Sequence, residues 1–254
     1  MALWLVGLGL NPPHSITKEG LAALSKCGHL FIETYTNQFK LPLAELSKHL
    51  NKPIEELNRE ELEQSNKLVE LSAAEDVVLL VLGDPLFATT HTELLLRAKR
   101  KGVTVKVIHN ASIVDAVLNT GLQAYKFGRI VSLPHPSTEM YSSVYQYIEE
   151  NKAMGLHTLV LLDVARDGIP AMTIKKAVRH LFEMEERLNR GVINKKDFWL
   201  GCSSLGSANE KIVYARSKQL SKIDFREPPY CLIVPGKLHF LEEEFLEEFY
   251  LFQK

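Results

Sequence analysis

Charge of either sign is almost cancelled in these 254 residues: 30 Lys and Arg stand against 31 Asp and Glu, a formal net charge of −1. That removes the electrostatic case for a nucleic acid or an anionic membrane as partner. Cysteine is scarce. Cys27, Cys202 and Cys231 are far apart in sequence, odd in number and without close Cys/His ligand pairs. A reducing compartment and no structural zinc or other metal are expected. No apolar run approaches the roughly 20 residues that span a bilayer. The first apolar residues have no charged region before them, so no signal peptide is expected. Walker-type phosphate loops, repeats and low-complexity tracts are missing as well. The expectation is a cytoplasmic protein that binds neither membrane nor nucleic acid.

What is present is organised around Val77 to His91. Val77 to Leu82 is a short, wholly apolar run ended by Gly83 and Pro85, the signature of a strand buried on both faces. Asp84 then puts a carboxylate at the strand's C-terminal end, where ligands bind in open α/β sheets. It either caps the loop or accepts hydrogen bonds from a ligand's polar end. A helical pattern follows with Leu94, Leu95 and Ala98. Leu3 to Val6 reads as the first strand, and Gly7 and Gly9 allow close approach by a ligand or another backbone. Pro12 occupies the place of the third glycine in a dinucleotide fingerprint, so that reading is poor. The next helix is capped by Ser15 or Thr17, with Leu21 and Leu24 on one face and Gly28 as its stop.

Leu30 to Ile32 is another strand. Residues 38 to 76 read as mostly helical, with Pro42 and Pro53 at helix starts and acidic outer faces. Val103 to Ile108 alternates with a period of two, a strand with one drier face. Ser112 and Asp115 form a capping-box-like start to a short helix. Four strand–helix alternations make the first half a doubly wound, largely parallel α/β unit. A boundary near residue 112 gives domains 1–112 and 113–254. In the second domain, Arg129 to Leu133 and His157 to Val164 are strands. Between them a helix from Thr138 to Met154 turns Met140, Val144, Tyr147 and Ile148 inward. Arg166, Asp167 and Gly168 mark a polar loop. Thr173 caps a helix carrying Ile174, Ala177, Val178, Leu181 and Leu188. Phe198 to Cys202, Ile212 to Ala215 and Cys231 to Val234 are further strands. Pro228-Pro229 joins the last two, so an antiparallel portion and a mixed sheet are expected. The terminal acidic helix points Leu241, Phe245, Leu246 and Phe249 inward.

Small or polar positions follow several strands: Gly9-Leu10, Asp84, Ser112, the Leu205 loop and His239. They suit a cleft between two domains that holds a small polar ligand. No Ser/His/Asp order can be defended, so no catalytic residue is assigned. His91 and His109 are candidates for hydrogen-bonding elements of the loops.

Trp4 to Asn11, the Gly83-Asp84-Pro85-Leu86-Phe87-Ala88-Thr89-Thr90-His91 stretch, Ile108 to Ile113, Thr120 to Gly128 and Pro235 to His239 closely resemble the diphthine synthases. These are tetrapyrrole-methylase-like, class III methyltransferases that use S-adenosyl-L-methionine and release S-adenosyl-L-homocysteine. The resemblance implies a cytosolic homodimer with the cofactor folded in a cleft between two α/β domains. It implies methylation of the amino group of a 3-carboxy-3-aminopropyl arm on a His of the translocation elongation factor, giving diphthine. It assigns cofactor contacts to Leu10, Asp84, Phe87, Ser112 and Ile113 in the first domain, and to Val164, Leu205 and His239 in the second. Phe87 or Tyr125 would favour the methylated cation through a ring face. A corrin or porphyrin methyltransferase of the same fold, or a non-enzymatic ligand-binding module, is the alternative.

Overall fold

The computed structural model of the protein describes residues 1–35, 43–136, 142–164 and 169–252. The expected helix start at Pro42, the segment Thr138 to Met140 and the polar loop Arg166 to Gly168 lie outside the described residues. The chain divides into two compact units, Met1–Ala116 and Val117–Lys254.

The first unit runs β1 (Ala2–Gly7), α1 (Lys18–Lys26), β2 (His29–Glu33), α2 (Leu43–Leu50), β3 (Ile54–Leu57), α3 (Arg59–Glu63), α4 (Lys67–Ala74), β4 (Val77–Val81), α5 (His91–Arg100), β5 (Thr104–Ile108) and α6 (Ile113–Ala116). Its sheet is parallel throughout, in the order β3-β2-β4-β1-β5. Along β4, alternate residues feed two different cores. Val77, Leu79 and Val81 pack with Leu3, Leu5 and Leu94 on one face. Val78 and Leu80 pack with Val6, Leu24 and Ile32 on the other. That two-sided burial is what a continuous apolar strand requires.

Two readings of this half are corrected. Residues 38–76 are not simply helical: Pro53 precedes the edge strand β3, whose Glu55 and Glu56 face solvent. In α1, Leu21 is exposed and the inward set is Gly20, Ala23 and Leu24. Thr17 is the cap, accepting from Gly20 N at 2.9 Å. Ser15 instead uses its hydroxyl on Leu8 O and Asn11 N.

The second unit runs β6 (Val131–Leu133), α7 (Ser142–Ala153), β7 (Thr158–Leu162), α8 (Ile174–Leu188), β8 (Phe198–Ser203), β9 (Lys211–Arg216), α9 (Ser217–Leu220), β10 (Tyr230–Val234) and α10 (Phe240–Tyr250). The mixed sheet is ordered β6-β7-β10-β8-β9. Only β6 and β7 are parallel. The antiparallel portion exists, but β10 does not pair with β9. It inserts between β7 and β8, which puts Cys231 directly opposite Cys202; both are free thiols. In α7, Tyr145 is buried beside Val144 and Ile148, because its hydroxyl donates to Glu185. Thr173 caps α8 as expected. The inward face of α10 differs from the expected one. Leu246 is buried and Phe245 half-buried, whereas Leu241 and Phe249 are exposed and Glu242 is 1% exposed. Among the described residues no helix is long and apolar enough to cross a membrane.

Candidate functional site

In a parallel sheet every strand leaves by the same end, so the loops after β4, β1 and β5 are neighbours. The structure ties these three together. Gly9 N donates to Gly83 O at 3.2 Å and Gly83 N to Gly9 O at 2.9 Å. Both glycines sit at positive φ, which only glycine adopts without strain. A Cβ on Gly7 would lie 2.7 Å from Gly83 O, so the close approach at Gly7 is by another backbone. Asn110 closes the knot. Its amide donates to Gly7 O and Ser15 O, both at 2.9 Å. Sequence reasoning passed over Asn110; its signal was a short polar side chain directly after a strand.

Asp84 stands in the middle. Oδ1 accepts from Leu86 N at 2.9 Å, and Oδ2 accepts from His109 Nδ1 at 2.7 Å and Asn110 N at 3.2 Å. Burial pushes its carboxyl up, but these hydrogen bonds outweigh burial and hold it below the ordinary value. A carboxylate has about four acceptor positions; three are filled, so Asp84 both caps the loop and retains one lone pair. His91 Nδ1 meets Pro85 O at 2.8 Å. Both histidines are therefore hydrogen-bonding elements of the loops. Ser112 is buried; its N and Oγ both reach Asp115 Oδ2, one half of a capping box. Leu10, Phe87 and Ile113 are half-buried on the same loops. One acceptor lone pair beside half-buried apolar side chains fits a ligand with amino or hydroxyl donors and an apolar body.

The second unit spreads its three residues. Val164 follows the end of β7 and Leu205 the end of β8, and both ends lie beside the start of β10. His239 follows the other end of β10, a strand length of about 15 Å away. It caps α10, with Nδ1 accepting from Leu241 N at 3.3 Å. Glu242 holds that loop. It accepts from Gln123 N at 2.8 Å, His239 N at 2.7 Å, His157 Nε2 at 3.1 Å and Lys126 Nζ. Burial raises its carboxyl, yet these donors bring it down to about 2. Tyr125, the other candidate ring, is 84% exposed.

The family of tetrapyrrole (corrin/porphyrin) methylases matches residues 2–221. The diphthine synthase of Methanothermobacter thermautotrophicus is 37% identical over 249 residues, 97% of this chain and 94% of its own. An Arabidopsis thaliana protein named "Probable diphthine methyl ester synthase" is 37% identical over 268 residues, 96% of this chain and 97% of its own. A crystal structure of diphthine synthase superimposes with a TM-score of 0.89 at 36% identity, covering 98% of this chain and 96% of that one. A first sheet with its strand-end loops knotted at Gly9, Gly83 and Asn110, and likeness along both units, lead to one assignment: the chain belongs to the tetrapyrrole methylase family, in its diphthine synthase branch.

Proposed function

We propose that the protein methylates the amino group of the 3-carboxy-3-aminopropyl-histidine on the translocation elongation factor, with S-adenosyl-L-methionine as donor, giving diphthine. Membership of the family makes the chain an S-adenosylmethionine-dependent methyltransferase. The observation that carries the finer reading is the 37% identity to a diphthine synthase across 97% of the chain; a corrin or porphyrin enzyme is the weaker reading for that reason.

In this reading Leu10, Asp84, Phe87, Ser112 and Ile113 hold the cofactor from the first unit, and Val164, Leu205 and His239 from the second. Asp84 uses its remaining lone pair on a donor of the cofactor's polar end. The apolar side chains of Leu10, Phe87 and Ile113 exclude water from its body. The cofactor supplies an electrophilic methyl group on a sulfonium. What the chain must add is orientation, worth several kcal/mol when the reacting atoms are held in line. A substrate amine with a pKa near about 7.7–8.0 has a useful neutral fraction at pH 7, so no side-chain nucleophile is required. The protein acts in the cytoplasm as a homodimer, the commonest oligomer symmetry. Light scattering is expected to give twice 28.7 kDa; the monomer mass at micromolar concentration would end the dimer reading.

Mass spectrometry of the elongation factor after incubation with enzyme and S-adenosylmethionine tests the function. Factor bearing the arm is expected to gain methyl masses, and factor from cells lacking the earlier step to gain none. Methyls lost on mild alkaline treatment are esters on the carboxylate rather than N-methyls. Equal incorporation into both factors defeats the reading, as does incorporation into neither alongside turnover of a porphyrin.

A further inference from the structure

His157 is a fully buried histidine to which the function proposed above gives no part. It stands directly before β7. The 126–128 segment locks its backbone on both sides: His157 N donates to Lys126 O at 2.7 Å, and Gly128 N donates to His157 O at 2.9 Å. The Phe127 ring meets the imidazole edge-on, with 5.5 Å between centroids. The two ring nitrogens have opposite duties. Nδ1 accepts from Gly236 N at 3.1 Å. A backbone N–H only donates, so Nδ1 is a bare lone pair and the neutral ring carries its hydrogen on Nε2. That hydrogen goes to Glu242 Oε1 at 3.1 Å. Burial, helped by the Lys126 ammonium and opposed by Glu242, holds the ring below its ordinary pKa and so neutral at pH 7.

Three backbone groups of the 235–239 loop are held in this network, one side chain to each. His157 takes Gly236 N, the Lys126 ammonium donates to Lys237 O at 2.7 Å, and Glu242 Oε2 accepts from His239 N at 2.7 Å. Glu242 joins the other two by accepting from both. The fit is close: a Cβ on Gly236 would lie 2.4 Å from Leu156 O, in the residue before His157. The three holds differ in kind. An ammonium on a flexible stem can turn its donors and follow a moving carbonyl. An imidazole bonded at both nitrogens cannot turn, so its lone pair accepts the Gly236 N–H in one place.

We propose that His157 is a positioning residue for His239: its Nδ1 lone pair, aimed by the Glu242 bond on the opposite nitrogen, sets the 235–239 loop where His239 meets the cofactor. This deepens the function proposed above and rests on it in one respect, that His239 is a cofactor contact. His157 acts through the loop alone, because both of its ring nitrogens are spent.

The test separates the two nitrogens. His157→Asn puts an amide oxygen where Nδ1 stands and still accepts from Gly236. His157→Gln puts an amide where Nε2 stands, keeps a donor for Glu242 and leaves Gly236 without an acceptor. Both remove the ring, so a merely structural role gives equal effects. Two quantities are read on the full chain: hydrogen exchange of the Gly236 amide, and affinity for S-adenosylmethionine by calorimetry. The Asn variant is expected to keep the Gly236 amide protected and to bind no more than about threefold more weakly than wild type. The Gln variant is expected to exchange that amide faster and to bind about tenfold more weakly, the worth of one lost hydrogen bond. Added to His239→Ala, His157→Gln is expected to weaken binding no further, because the loop then has no side chain to place. Equal exchange or equal affinity in the two variants, or a further tenfold loss in the double variant, would overturn the proposal. Should either variant fail to fold, the wild-type chain with 15N-labelled histidine decides: a His157 ring charged at pH 7, or with its hydrogen on Nδ1, overturns the proposal. Cofactor binding by wild type with no difference between the variants would defeat this inference alone. Unchanged affinity in His239→Ala would defeat the reading of His239 as a cofactor contact, and the inference with it.

Discussion

The two units solve the same problem, holding loops at strand ends, by different chemistry. In the first, backbone, a neutral amide and one partly buried carboxylate do it: Asn110 to Gly7 and Ser15, Gly9 to Gly83, and Asp84 accepting from Leu86, His109 and Asn110. In the second, a nearly buried carboxylate, Glu242, collects four donors from Gln123, His239, Lys126 and His157. Topology is the reason. A parallel sheet delivers its loops to one end, where short polar residues can reach each other. An antiparallel sheet sends successive loops to opposite ends, so a loop such as 235–239 has fewer strand-end loops beside it and is fastened by the Glu242 side chain. One consequence is a difference of vulnerability: the first unit depends more on backbone geometry, the second more on a buried charge.

The largest effect should come from breaking the charged fastening. Glu242→Ala takes the carboxylate from the Lys126 ammonium, which keeps only Lys237 O, and leaves the buried His157 N–H unpaired, and is expected to cost about 3 kcal/mol. Urea unfolding of the variant checks it; a cost below about 1 kcal/mol would make the network no more than a surface pair. Acid is expected to act next, and unequally. Burial, opposed by Glu242, lowers the His157 pKa from 6.5. As pH falls below that value the unfolded chain takes the proton first, and stability declines. Glu242, at about 2 instead of 4.5, contributes stability present above pH 4.5 and lost as pH falls towards 2. Asp84 in the first unit has its effect only below 3.8. The two tryptophans divide between the units: Trp4 in β1 and Trp199 in β8. In single-tryptophan variants, Trp199 fluorescence should change at higher pH than that of Trp4; the reverse order would contradict the comparison.

A smaller effect, on cofactor binding as well as on the loop that Asp84 fastens, is expected of Asp84→Ala. Loss of a hydrogen bond from a charged acceptor should cost cofactor affinity roughly 1.5–3 kcal/mol in calorimetry with S-adenosylmethionine. Unchanged affinity with a lowered melting temperature would reduce Asp84 to a loop cap. The smallest effect controls for the helices. Thr17 and Thr173 make the same N-cap in the two units, so each Thr→Ala change should cost about 1 kcal/mol. A large difference between the two would mean that the units differ in their helices as well.

The legible parts of the fold were those with strong local patterns. β4 was readable because a strand buried on both faces must be apolar at every position. The Thr17 and Thr173 caps were readable because capping needs only three neighbouring residues. β3 was not, since Ile54-Glu55-Glu56-Leu57 is a short edge strand with two exposed carboxylates, and its periodicity is that of any polar segment. The inward face of α10 was misread because Glu242 is buried by partners 85 and more residues away. No local pattern records a charge neutralised at that distance. The site was half legible for the same reason. Asp84 and Ser112 announce themselves beside apolar strands, whereas Asn110 matters through bonds to Gly7 and Ser15.

The central position of β10 also has a consequence for the order in which the chain can fold during synthesis. The first unit is complete once residue 116 has emerged, and each of its strands then has its partners. The second has no such early stage. Its strand between β7 and β8 is the last one made, so until Val234 leaves the ribosome both neighbours present unpaired edges. Such edges are templates for pairing with other chains. A nascent or truncated chain ending before Tyr230 should therefore carry a folded first unit and an aggregation-prone second one, and depend on chaperones for that interval.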